Sequence, residues 1–147
     1  MRMFSALPLA AALALTGVPL HAGDTPAVTV DHAWVRLLPG TLPAGGYATV
    51  HNSGNTPRTV TGASSRDYKH VMLHQSTTQG GMSRMRMIDK LTVPAHATVK
   101  LTPGGYHLML MNATHTIKVG DMIPVTLHFA DGKTLTVQFK VRPANAH

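Results

Sequence analysis

The chain has no cysteine and no glutamate, and its charged residues amount to only 13% of 147. The missing cysteine excludes disulfide scaffolds, cysteine nucleophiles, thiolate zinc sites and thiol redox chemistry. It also excludes the blue-copper arrangement, which needs a cysteine sulfur. The six acidic residues are all Asp, and no nearby pair of them offers the oxygen cage that Ca or Mg requires. Aromatic residues are few as well, with one Trp, three Tyr and three Phe. The basic residues are scattered singly, apart from short pairs such as Arg84 with Arg86 and Lys140 with Arg142. Without a cationic run or a set of stacking rings, the net charge of +7 does not describe a nucleic-acid surface. It reads as a solvated surface, or as a field that steers the molecule toward an acidic protein.

What the chain does hold is ten His and nine Met. At roughly 100 to 200 residues per domain the length allows one domain, and 44% hydrophobic residues are enough to bury a core. The N-terminus runs from Met1-Arg2-Met3 through an apolar stretch, Phe4 to Leu15, to Thr16-Gly17-Val18-Pro19-Leu20-His21-Ala22. A basic start, a short apolar core and a small residue after a helix breaker are the marks of a secretory signal peptide. The apolar run, interrupted by Pro8, is short of the 20 or so residues that span a bilayer. The expected organisation is a signal peptide over 1–22 and a single domain over 23–147, with no membrane span in the mature chain. In an oxidising exported compartment a thioether cannot be drawn into a disulfide, as a thiol would be.

From Thr25 onward, short β-branched and apolar segments alternate with Gly, Pro, Asn and Asp turns. This predicts an all-β protein, a Greek-key sandwich or barrel. Nine strands are expected: 28–37, 46–52, 58–63, 68–74, 82–88, 97–102, 106–111, 124–129 and 134–141. Asn52-Ser53-Gly54-Asn55 and Ala130-Asp131-Gly132-Lys133 read as hairpin turns.

Strand alternation sorts the unusual residues onto faces. Val71 and Leu73 point to the core, so His70, Met72 and His74 share the other face. Ser83, Met85 and Met87 share one face of their strand, and His107, Met109 and Met111 one face of theirs. Taken singly, each of these residues is more often packing or surface than ligand. Their concentration argues otherwise, because six of the nine Met fall between Met72 and Met111. Imidazole and thioether without thiolate or carboxylate form a soft, uncharged donor set. Thioether sulfur selects Cu(I) over Zn, Ca or Mg, and two His with two Met would make a four-coordinate site.

Ten residues separate His74 from Met85, twenty-one separate Met85 from His107, and one separates His107 from Met109. This spacing resembles the copper motif of the periplasmic copper chaperones called PCu(A)C. The flanking residues are similar to that family too: Ala33-Trp34-Val35-Arg36, Tyr47 leading to His51-Asn52, Arg84-Met85-Arg86, and the stretch Pro103-Gly104-Gly105-Tyr106 to Met111. The resemblance covers essentially the whole mature chain. It implies a cupredoxin-like β-barrel that binds one Cu(I) through His74, Met85, His107 and Met109. It further implies delivery of copper to the copper domain of a haem-copper oxidase, directly or through a thioredoxin-like copper assembly factor. There is no catalytic turnover in this role. The chain departs from some relatives in having no Met within Gln75 to Gly81, and in ending Pro143-Ala144-Asn145-Ala146-His147 rather than in a His- and Met-rich extension.

The sequence therefore predicts a periplasmic, monomeric, Cu(I)-binding metallochaperone. The alternatives are a copper-buffering or resistance protein without a dedicated acceptor, an electron-transfer cupredoxin, and a metal-free adhesive domain. Met72, Met87 and Met111 lie on the ligand-bearing faces; packing is the expected role, with shielding of the site or transient ligation as the alternatives. His32, His51, His96, His115 and His128 are expected to be ordinary surface or turn residues.

Overall fold

A computed structural model describes residues 27–147; the expected signal segment lies outside the described residues. Ten strands run in the order β1 Val28–Arg36, β2 Ala44–Asn52, β3 Arg58–Ser64, β4 Tyr68–Gln79, β5 Met82–Met87, β6 Leu91–Val93, β7 Ala97–Leu101, β8 Tyr106–Ala113, β9 Met122–Phe129 and β10 Thr134–Arg142. No helix occurs among the described residues. Seven strands close into a ring, β4-β8-β2-β1-β10-β9-β3 and back to β4, while β5, β6 and β7 attach to β4, β3 and β2. The β1–β10 contact is parallel and the other pairings are antiparallel, so the barrel is mixed. The all-β expectation holds.

Alternation explains why the ring closes on one core. β9 sends Ile123, Val125, Leu127 and Phe129 inward, β8 sends Leu108 and Leu110, and β4 sends Val71 and Leu73. β2 contributes Ala44, Ala48 and Val50. Gly46 sits among them because a Cβ there would lie 3.1 Å from both Leu108 and Leu110. In β1 a bulge falls between Asp31 and Trp34, with His32 at a positive φ of 49°. The extra residue reverses the inside-outside sense of the strand. Val28 before it and Val35 after it both face the core, and Trp34 is sent to the outer face opposite Tyr47.

Three expectations change. Asn52 to Asn55 is not a hairpin, because β2 and β3 do not pair with each other. The buried Asn52 amide donates to the carbonyls of Thr56, Val93 and Pro94 instead and its own Oδ1 accepts from Gly54, which knits a crossover loop to β6. That short β6 was not expected, nor was the extension of β4 from His74 to Gln79. The run Ser76-Thr77-Thr78-Gln79 has no apolar alternation to betray a strand. It is held by pairing with β5 across Gly80 and Gly81, both at positive φ, which suits a two-residue turn whose twist matches the flanking strands. Ala130 to Lys133 does close the β9–β10 hairpin.

Candidate metal centre

The outer face of β5, β4 and β8 collects the four predicted donors around one row of the sheet. His74 on β4 stands directly opposite His107 on β8, and the two imidazole centroids are 5.7 Å apart. Met85 on β5 pairs with Ser76, one row from His74 toward the hairpin tip. Met109 pairs with Met72, one row in the other direction. Each thioether therefore approaches the imidazole pair from a diagonal position, within reach of a long side chain.

The donors differ in exposure. His107 is buried at 4% exposure, His74 and Met109 are partly buried, and Met85 is 54% exposed. Nδ1 of His107 lies 3.1 Å from the Gly105 carbonyl and donates to it. This fixes the tautomer and leaves Nε2 as a lone pair. That Nε2 is buried without a hydrogen-bond partner, and so are both ring nitrogens of His74. Buried polar atoms are nearly always paired, so three orphaned nitrogens on two facing rings need a partner of another kind. The other described histidines make the contrast. His51 meets Asp31 and Thr98, His96 meets Asn55, His115 meets Asp67, and His128 meets Ser64. His32 meets Asp31, so all five are ordinary, as expected. His70 is exposed on the same strand face as His74.

Burial, followed by the repulsion a charged His107 would exert, holds the His74 imidazole below its ordinary value. The neutral form, the one able to bind a metal, is thereby favoured. A lone pair on each ring, soft sulfurs beside them and no carboxylate in the cluster fit a soft monovalent ion. Among the described residues no group of three or more His, Cys, Asp and Glu could hold a metal; beside the two imidazoles the donors on this face are thioethers.

An aromatic flank lies beside the imidazoles that the motif did not disclose. Tyr47 approaches His107 with centroids 6.3 Å apart, and Trp34 approaches Tyr47 at 4.8 Å. Arg36 lies over both rings and Arg142 over Trp34. Gly45 makes room for this stack, since a Cβ there would come within 2.6 Å of the Tyr47 hydroxyl. In the sequence Trp34, Arg36 and Tyr47 were visible only as family resemblance. The place of Trp34 and Arg36 beside the site depends on the β1 bulge.

A family described as LpqE-like lipoproteins matches residues 28–141. The chain belongs to this family. A named lipoprotein of Leifsonia xyli subsp. xyli, Lxx21020, is 34% identical, covering 96% of this chain and 90% of that one. Among solved structures, the copper-bound PCuAC domain from PmoF2 superposes with a TM-score of 0.67 at 26% identity, covering 82% of this chain and 96% of that one. The solution structure of CuI-DR1885 from Deinococcus radiodurans gives 0.65 at 34% identity, covering 82% and 81%. The apo form of DR1885 gives 0.61 at 33% identity, covering 96% and 97%. These matches bear out the PCu(A)C resemblance and the cupredoxin-like barrel read from the sequence.

Proposed function

We propose that this LpqE-like chain is an exported Cu(I) metallochaperone that holds its cargo between His74, Met85, His107 and Met109. The observation that carries this reading is the facing pair of imidazoles with three buried, unpartnered nitrogens, flanked by two thioethers. Support comes from the relatives, one named as a copper-bound PCuAC domain and one as a Cu(I)-bound protein. All four ligands are neutral, so the site carries only the charge of the ion and can exchange it without moving protons once the histidines are deprotonated. His107, buried and oriented by Gly105, is the fixed donor. Met85, exposed on an edge strand, is the donor an acceptor can displace. Transfer is ligand exchange: an acceptor side chain bonds the ion as a thioether leaves, and copper stays Cu(I). No bond of the protein is made or broken, so the chain is not an enzyme in this role.

The acceptor is the copper domain of a haem-copper oxidase or a thioredoxin-like copper assembly factor, reached in the periplasm after a signal peptide over 1–22 is removed. Among the described residues no helix is long and apolar enough to cross a membrane. The family description and the Leifsonia relative carry the name lipoprotein, yet none of these 147 residues is a cysteine that could carry a thioether-linked lipid. Met109→Ala should stay folded and lose Cu(I) affinity by more than about tenfold, the least that loss of a donor costs when loss of a supporting partner costs 10 to 100. Unchanged affinity in competition against a Cu(I) chelator refutes the site. The delivery role is tested by whether the copper-loaded protein metallates a purified oxidase copper domain faster than chelator-buffered Cu(I) does. Equal rates would leave the chain a copper buffer.

A further inference from the structure

Met87 does not pack, contrary to what its place in the sequence led one to expect. It is 62% exposed, more than Met85 at 54%, and its strand β5 is an edge that pairs only with β4. Its register is the informative feature. Met87 on β5, His74 on β4 and His107 on β8 stand in one row across three strands, with side chains on one face. Met85 is a row further out, opposite Ser76. The Ile88 amide donates to the Leu73 carbonyl at 3.0 Å, which makes the Leu73 and Ile88 positions a hydrogen-bonded pair. His74 and Met87 are then a non-hydrogen-bonded pair, the kind whose side chains stand closest, with Cα atoms about 4.5 Å apart. A thioether directly beside an imidazole with two unpartnered nitrogens is placed at least as well as the diagonal Met85. The strand beneath it is held on both sides of the residue. Ile88 bonds back to β4, and the Arg86 guanidinium bonds Gln75 from the reverse face at 2.9 Å.

We propose that Met87 is a further copper ligand on β5, exchanging with Met85, so that His74, His107 and Met109 hold Cu(I) together with one of two interchangeable sulfurs. The inference rests on the copper reading above. In the exchange, the bond from copper to the Met87 sulfur forms as the bond to the Met85 sulfur breaks. No electron or proton moves, and the ion stays Cu(I). The exchange gives the cargo a second foothold on the most exposed edge of the site, where an acceptor strand or loop can approach without disturbing the buried His107.

The test uses protein labelled with ¹³C at the Met methyls and titrated with Cu(I) under reducing, anaerobic conditions. Competition against a Cu(I) chelator is run in parallel for wild type, Met85→Ala, Met87→Ala and the double variant. Met87 is exposed, so its truncation leaves the fold intact. The expected result is that the Met85, Met87 and Met109 methyls all shift on binding. Each single variant then loses at most a few-fold in affinity, and the double variant loses more than about tenfold beyond either. X-ray absorption should count the same number of sulfurs in both single variants and one fewer in the double. A Met87 methyl that stays still while the Met85 and Met109 methyls respond, or a Met85→Ala variant as weak as the double, overturns the proposal and leaves the four-ligand site standing. No response at the Met109 methyl, with no competition for Cu(I) by the wild-type protein, overturns the copper reading itself.

Discussion

At the scale of single residues, the site depends on which nitrogen of each imidazole is free. The Gly105 carbonyl accepts a hydrogen bond from the Nδ1–H of His107, which leaves Nε2 as the ring's bare nitrogen. The expected outcome in nitrogen NMR of the copper-free protein is a His107 ring with Nδ1 protonated and Nε2 bare. The reverse tautomer would show that the ring cannot offer its lone pair to a metal without first turning. His74 makes a second prediction through its lowered pKa. An ordinary imidazole takes a proton as pH falls through about 6.5. In the fold His74 resists that proton, so the unfolded chain binds it first. The copper-free protein should therefore lose stability as pH drops below about 6.5, down to the lowered value, with no such loss above it. Protons compete with Cu(I) in the same direction, so affinity should decline across the acidic range, later than for a free imidazole. Affinity that stays flat from neutral pH to about 5 would count against imidazole ligation. That His74, Met85, His107 and Met109 share one face was legible in the sequence, because spacing and strand parity are one-dimensional facts. The Gly105 contact and the orphaned nitrogens were not, because they depend on three strands meeting.

At the scale of elements, the β4–β5 hairpin decides whether the thioethers reach the imidazoles. β5 is exposed along its whole length and gains nothing from the core, so its position comes from the ladder to β4 and from the turn. Gly80 and Gly81 take φ values of 59° and 77°, a conformation that costs other L-residues roughly 1 to 2 kcal/mol each. Replacing both with Ala should loosen β5 while leaving the closed ring of seven strands intact. The expected result is faster amide exchange at Met85 and Met87, lower Cu(I) affinity, and a thermal midpoint lowered by only a few degrees. Full affinity despite lost protection along β5 would show that the hairpin does not carry a ligand. The alternation of apolar residues revealed most strands. It gave no sign of the distal half of β4, because Ser76 to Gln79 holds no apolar residue and Thr77 to Gln79 are exposed on both faces, and it mistook the Asn52 crossover for a hairpin because Asn and Gly favour both.

At the scale of the whole molecule, the barrel and the charge divide the work. The core residues next to the proposed ligands set the rigidity of the candidate site. Leu108, fully buried between His107 and Met109, should cost about 2 to 5 kcal/mol when cut to Ala. Such a variant should lose copper binding in proportion to its unfolded fraction rather than through any missing donor. The charge acts at longer range. With +7 over the sequence and every donor neutral, the intrinsic affinity for Cu(I) should respond little to salt. The encounter with an acidic acceptor should respond strongly, because exposed charges are screened beyond about 8 Å at physiological ionic strength and steered association falls steeply as salt rises. Copper transfer followed in stopped flow should therefore slow markedly between low and high salt, while chelator competition at the same salts moves little. If both fell together, the charge would be part of the copper site. If neither moved, the positive surface would serve solubility alone, and recognition of the acceptor would lie in the thioether edge of β5.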